Sequence, residues 1–436
     1  MFEKILTITW LAAFALGACE GGDSAREETG ADSDSDSDGD GDSDGDSDGD
    51  SDSDSDGDGD VPDGSCTLNG VVMSPSETFP IPGALVYLTT GDGSEIPDSV
   101  YCYECDDMTG KKWTLSNPDG TWTLENVPEG SWNIVTRKGF FQRQREITVT
   151  GEDVQDVPME VTKLPTANSG DGLDHIPSYA VLLNWYDRSE DLLAKLGIAE
   201  LGGDGHFVPG TEQFDVYNDA ETASSAVGQS SMVFQSQDYL EQYHMIFFPC
   251  ICSTLSAGDY IEMLRNYVAH GGKLYSSCWA SQWAEQPFPA MIEFAGDDNA
   301  YNAGNIGSYN TTAVIEDPDM RDWLSVVTPA ENLDAFPFTG AWILIDQINN
   351  VDNGMGLEED DGWVIPKNWV SDNGGLNRPQ GSPMTVTYNF GCGKVFFSVY
   401  QVVESSASTE IRPQEYVLLY MILEVAVCEG DYVPPE

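Results

Sequence analysis

Fifteen aspartates stand at every even position from Asp32 to Asp60, separated only by Ser and Gly. No apolar residue interrupts the run, so nothing can be buried to offset the entropy cost of ordering its backbone. It is expected to stay disordered, extended by repulsion among its carboxylates. Its 29 residues reach at most roughly 100 Å, at about 3.3–3.6 Å per residue. The segment reads as a stalk. Asp-x-Asp-x-Asp-Gly recurs at Asp34–Gly39 and Asp52–Gly57, which makes Asp52, Asp54 and Asp56 weak Ca²⁺ candidates. An EF-hand loop also needs a bidentate Glu at its twelfth position and flanking helices. Asp63 stands at that position and no helical pattern flanks it. A spacer is therefore expected, with loose Ca²⁺ association at most, no dedicated metal site and no cofactor.

Ahead of the stalk, Ile5 to Ala18 is apolar apart from two threonines. That suits the core of a secretory signal and is short for a membrane span. Leu16-Gly17-Ala18-Cys19 resembles the lipobox of bacterial lipoproteins. The resemblance implies cleavage after residue 18 and acylation of Cys19, hence a membrane contact through lipid chains. Glu20 and Gly21 follow the cysteine, with no Asp beside it. Within Gram-negative sorting patterns this implies the outer membrane or cell surface.

Removing the 15 charges of the run from the formal −57 leaves −42. The remainder is itself acidic, which argues against nucleic acid and anionic bilayers as partners. From Cys66 onward the chain is long enough for two or three cores. Apart from Cys19 it holds eight cysteines, 66, 102, 105, 250, 252, 278, 392 and 428. An even number in an exported chain reads as disulfides. Three fall in the first half of the folded part and five in the second. Either a bridge crosses between the halves, or each keeps an unpaired thiol.

Residues 65–165 carry short strand patterns broken by turn signals. Gly70-Val71-Val72, Ala84 to Leu88, Trp113 to Leu115, Thr121 to Leu124 and Ser131 to Val135 read as strands. Pro82-Gly83, Asn117-Pro118-Asp119-Gly120 and Val127-Pro128-Glu129-Gly130 punctuate them, which predicts an all-β sandwich. The same segments, with Ile81 to Val86 and Asn126 to Gly130, resemble carboxypeptidase regulatory-like domains. That family implies a seven-stranded transthyretin-like or starch-binding-like sandwich, generally structural or adhesive. Trp113, Trp122 and Trp132 could stack on sugar rings, but core filling is the preferred reading. Cys102-x-x-Cys105 lies in an all-β context rather than at the start of a helix. A structural bridge is expected there, with Cys66 as a partner of one of the two.

Residues 172–430 read differently. Tyr179 to Leu183, Phe214 to Tyr217, Met245 to Phe248 and Lys273 to Ser277 are predicted strands. Helices are predicted over 187–196, closed by Gly197, and from Ser256 to His270. Met384 to Phe390 and Lys394 to Tyr400 form a predicted hairpin, and a last helix covers 413–427. Alternation of this kind predicts a parallel sheet covered by helices. The layout resembles the class I glutamine amidotransferase-like fold, which is flavodoxin-like, with a nucleophile elbow Gly-x-Cys-x-Gly-x-Gln. Here the elbow is Ser276-Ser277-Cys278-Trp279-Ala280-Ser281-Gln282, with both glycines replaced. The family's base is a histidine downstream of the cysteine. The four histidines, 175, 206, 244 and 270, all precede Cys278, and Gln401 follows the late strand instead. Cys278 is therefore read as structural, with Cys250 or Cys252 as its partner. Residues 297–380 read as a loop-rich stretch over the C-terminal edge of the sheet. Trp323, Trp342, Trp363 and Trp369 within it either line a pocket or pack locally.

The resulting expectation is a multidomain surface lipoprotein. A signal (1–18) and stalk (19–64) lead into a β-sandwich and a non-catalytic α/β domain. Adhesion or ligand binding is the leading function, toward an extracellular or cell-wall ligand, carbohydrate included. The alternatives are a divergent cysteine hydrolase or amidotransferase using Cys278, and a carbohydrate-binding surface module.

Overall fold

The computed structural model describes residues 64–250, 255–296, 302–349, 357–359, 362–375, 378–402 and 408–428. The signal, Cys19 and the stalk, with Asp52, Asp54 and Asp56, lie outside them, as does Cys252. The chain divides into two units, 1–57 and 58–436, and every described residue belongs to the second. The protein is rich in β-sheet and built around one large mixed sheet.

The first layers are two small sheets. β1 (Cys66–Val71) lies between β4 (Thr121–Val127) and β7 (Val154–Asp156). The second sheet runs β3 (Trp113–Leu115), β2 (Leu85–Thr89), β5 (Gly130–Lys138), β6 (Phe141–Val149) and β8 (Asp174–His175). Leu68, Trp122 and Leu124 from one sheet share a core with Val86, Ile134 and Phe141 from the other. Gly70 is glycine because the Trp122 ring crosses it; a Cβ there would meet the indole at 2.4 Å. Trp122 and Trp132 are buried and Trp113 is half-buried, so these rings fill the layers. β6 is not evident in the sequence because its buried stretch is Gln142, Arg143 and Gln144. Arg143 is neutralised by Asp174, and Gln142 donates to the Ser94 carbonyl.

The large sheet has ten strands. Its parallel part is β11 (Gly228–Gln229), β10 (Asp215–Asn218), β9 (Tyr179–Leu182), β12 (Met245–Phe248), β13 (Lys273–Ser277) and β22 (Gly393–Ser398), in that spatial order. Every residue of β9, β12 and β13 is buried. Coverage of both faces is why β9 and β12 are continuous apolar runs rather than alternating ones, whereas β13 also buries Lys273, Ser276 and Ser277. Setting aside the two-residue β11, the order in chain terms is 2-1-3-4-5. Its direction of growth reverses between β9 and β12.

The sheet is not purely parallel. It continues antiparallel through β21 (Pro383–Phe390), β20 (Lys367–Asp372), β15 (Asn305–Ile315) and β16 (Phe336–Ile343). Among the described residues, the stretch read as loops over the sheet edge carries strands β15 to β20 and the helix Pro318–Val327. β15 escapes notice because its first eight residues, Asn305 to Thr312, are largely exposed and polar, as one solvated face of an antiparallel ribbon requires. Two ribbons complete the set, β14 (Ile292–Phe294) with β17 (Ile345–Ile348), and β18 (Leu357–Glu359) with β19 (Gly362–Val364).

The small sheets and the large one are fastened together. Trp323 donates to the Pro80 carbonyl, and Phe79 packs edge-on against Trp323 and Tyr416. Trp369 is buried too, donating to Thr387. Disulfides Cys102–Cys392 and Cys105–Cys428 cross the junction. Cys66 is not their partner: it is a buried free thiol in β1, facing the core rather than the Cys102 loop.

His244 sits in the same junction, fully buried. Its Nδ1 accepts from the Ser178 amide at 3.0 Å and its Nε2 donates to the Pro97 carbonyl at 2.8 Å. Only the neutral ring can do both. Burial first, then the nearby His175 and Lys273 charges, hold its pKa down at about 4 against an ordinary 6.5. The sign follows from a depressed folded pKa on a base. Stability is complete above about 6.5 and falls as pH drops toward 4, by at most about 3 kcal/mol. Urea midpoints at pH 7 and pH 4.5 should therefore differ less in His244→Gln than in the wild type. An equal difference would contradict the assignment.

Candidate functional site

In an open α/β sheet, ligands bind outside the carboxyl ends of the strands, where the strand order reverses. Here that point lies between β9 and β12. After β9 the chain reads Asn184-Trp185-Tyr186-Asp187. Asn184 Oδ1 accepts from the Tyr186 amide at 2.8 Å, the local turn typical of Asn. Trp185 and Tyr186 are left 60% and 50% exposed, while Asp187 is wholly buried.

Asp187 joins four strand ends. Its Oδ2 accepts from the Cys250 amide at 3.2 Å, after β12, and from the Ser277 hydroxyl at the end of β13. Its Oδ1 accepts from the Val402 amide at 2.9 Å, beyond β22. One carboxylate thus satisfies two amides and a hydroxyl where the parallel ladder runs out, in charge-assisted bonds.

Cys278 follows directly. It has φ +48°, the left-handed region, and opens a tight turn into the short helix Ser281–Glu285. The sequence Ser276-Ser277-Cys278 therefore does build a sharp strand–helix turn, with Ser276 and Ala280 buried beside it. The Cys278 sulfur is bonded to Cys250, with Cα atoms 4.8 Å apart. The Trp279 amide approaches Cys250 Sγ at 3.4 Å. Gln282 Oε1 accepts from the Ala257 amide, so this glutamine anchors a neighbouring turn. Gln401 is buried, with its Oε1 unpartnered.

All four histidines are engaged elsewhere. His175 Nδ1 contacts the Phe140 carbonyl, His206 pairs with Asp191, His244 lies in the junction, and His270 pairs with Glu241. With its sulfur in a disulfide, the elbow holds no thiolate, and no imidazole is placed to generate one.

A charge cluster follows Asp187 in the chain. Arg188 meets Glu190 at 3.3 Å, Asp191 at 2.6 Å and Glu221 at 2.5 Å. Asp191 also accepts from the Phe207 amide and pairs with His206 at 2.8 Å. Burial, then the Asp191 charge, push the Glu190 carboxyl well above the usual carboxylate range. Residues 187–196 are predicted only as a helix; the partners of this cluster come from residues 206–221. Trp342 stacks edge-on against Trp279 at 5.3 Å, near the elbow, and both are half-buried. For Trp363 only its strand pairing is described.

A cleft of ≈ 500 Å³ opens at the opposite, amino end of the same strands, lined by Asp98, Ser178, Glu212, Asp215 and Tyr243 among others. Asp215 is taken there by the Tyr243 hydroxyl at 2.6 Å. Among the described residues no three His, Cys, Asp or Glu side chains are grouped to hold a metal, and no helix is long and apolar enough to cross a membrane. The three disulfides are those of an exported or extracellular protein.

No protein-family model matches the chain. No curated protein matches it. Among solved structures, a cytoplasmic protein from Salmonella typhimurium aligns at TM-score 0.33 and 11% identity, over 57% of this chain and 99% of that one. A GH42 beta-galactosidase from G. stearothermophilus aligns at 0.30 and 11%, over 58% and 31%. The major pilin subunit of Bacillus cereus aligns at 0.17 and 10%, over 23% and 30%. The chain thus spans about a third of the galactosidase and of the pilin. At these TM-scores the likenesses assign neither a fold family nor a ligand.

Proposed function

We propose that this is an exported surface protein, lipid-anchored through Cys19 and held out on its acidic stalk, whose folded part binds a ligand without turning it over. The observation that carries the non-catalytic reading is the Cys278 sulfur, bonded to Cys250 at the one turn where a nucleophile would stand. The engagement of all four histidines away from that turn supports it. The strand order 2-1-3-4-5 and the strand–turn–helix at Cys278 support an amidotransferase-like, flavodoxin-like ancestry for residues 172–430. The shared core of the two small sheets supports the carboxypeptidase regulatory-like sandwich. The anchor rests on Leu16 to Cys19 and the stalk on the aspartate run. The competing reading, a cysteine hydrolase, draws on the left-handed Cys278 and requires that its bridge be reduced.

The address is tested by Cys19→Ser expressed in a Gram-negative host. The wild type is expected in the detergent phase and the variant in the aqueous phase or unprocessed. Equal detergent partitioning of the two would contradict the anchor.

A further inference from the structure

We propose that the exposed surface at the carboxyl ends of β9 and β12 is a binding site for a neutral saccharide, with Trp185 as its stacking platform. The proposal rests on the non-catalytic reading above and supplies its ligand class.

Singly exposed apolar residues are ordinary. Trp185 and Tyr186 are two in succession, the only aromatics among the large exposed apolar side chains of the described residues. They stand at the reversal point of the sheet, fixed by the Asn184 turn. Beside them in the chain are buried polar atoms with no hydrogen-bond partner in the protein, Asn184 Nδ2, Ser189 Oγ and Glu190 Oε2, while Glu190 Oε1 faces Arg188. All three side chains are less than a tenth exposed. Such groups are nearly always satisfied in native proteins, by protein, water or ligand.

Charge accounting at the site narrows the ligand. Arg188 is shared among three carboxylates, so no cation remains for an anionic ligand. Asp191 and Glu221 are both held by Arg188, and Asp191 also by Phe207 and His206, so neither offers a free carboxylate to a cation. Glu190, its carboxyl pushed up by burial and then by the Asp191 charge, already faces Arg188. What remains is an aromatic face with neutral hydrogen-bonding groups beside it. A pyranose matches this, with C–H groups on one face and hydroxyls around its rim that both donate and accept. The tryptophans of the small sheets are packed inside, so Trp185 rather than Trp122 or Trp132 presents the bare indole.

The test uses the detergent-solubilised full chain titrated with cellohexaose, maltohexaose, laminarihexaose and chitohexaose, followed by calorimetry and tryptophan fluorescence. At least one should bind, and Trp185→Ala should weaken it tenfold or more. Trp185→Phe should recover most of the loss, and Leu115→Ala, an exposed residue of β3, should have no effect. Absence of binding across the panel, or equal binding by Trp185→Ala, overturns the proposal. So does Trp185-dependent binding of spermidine or tripolyphosphate in place of the sugars. Cysteine 278 separates the two readings. Cys278→Ala should bind sugar as the wild type does, whereas cleavage of a bound sugar that is lost in Cys278→Ala would overturn the non-catalytic reading itself.

Discussion

Replacing Cys102, Cys105, Cys392 and Cys428 together by serine is expected to unfold the protein near physiological temperature or lower its Tm by more than about 15 °C. The Cys102–Cys392 bridge spans 290 residues of sequence. In the chain-entropy limit a loop of that length contributes about 5–6 kcal/mol. Cys105–Cys428 spans 323, but most of that loop is already closed by the first bridge. Its own ring runs only from 102 to 105 and from 392 to 428, so it adds about 4 kcal/mol in the same limit. Together they rival the whole stability of an ordinary domain, about 5–15 kcal/mol. The core immediately around the two bridges is small, little more than Ile96, Tyr103, Phe140 and Ala426, and the Phe79, Trp323 and Tyr416 contacts lie elsewhere along the junction. Calorimetry on the quadruple variant decides the matter. A Tm within a few degrees of wild type would mean that packing alone holds the junction.

Glu415→Ala is the second large effect expected. Lys195 Nζ lies 2.9 and 2.7 Å from the two Glu415 oxygens, and both side chains are almost fully buried. Glu415 Oε2 also accepts from the Arg412 amide, closing the first turn of the helix Pro413–Glu424. Removing the carboxylate leaves an ammonium ion buried without its counter-charge, which costs about 3–5 kcal/mol. Removing both charges in Lys195→Met with Glu415→Leu should cost far less, because the desolvation of two ions disappears with their attraction. Urea unfolding of the single and double variants measures this directly. A loss below about 1 kcal/mol in Glu415→Ala would show the pair to be solvated.

Much of the sheet was legible because burial on both faces writes itself as an apolar run. The predicted strands Met245 to Phe248 and Lys273 to Ser277 match β12 and β13 residue for residue, and Gly197 closes its helix in the left-handed region as expected. β6 and β15 were not legible, since their residues are largely polar; β6 becomes a strand by folding back on the adjacent β5, and β15 by pairing with β16 and β20. The elbow at Cys278 could be read from small residues around a cysteine. The Asp187 hub could not, because its partners come from residues 250, 277 and 402. The Arg188 cluster was hidden in the same way, its partners lying at residues 206, 207 and 221. Cys66 shows the limit of counting cysteines: parity counts thiols, while pairing depends on which Cα atoms the fold brings together.

Labelling of Cys278 in the intact, unreduced protein is the most direct test of the central claim. Iodoacetamide under denaturing but non-reducing conditions, followed by peptide mapping, should leave Cys278 unmodified and linked to Cys250. Alkylation should appear only after reduction. Alkylation of Cys278 without reduction, in stoichiometric yield, would show a free thiol at the strand–helix turn and would contradict the non-catalytic account.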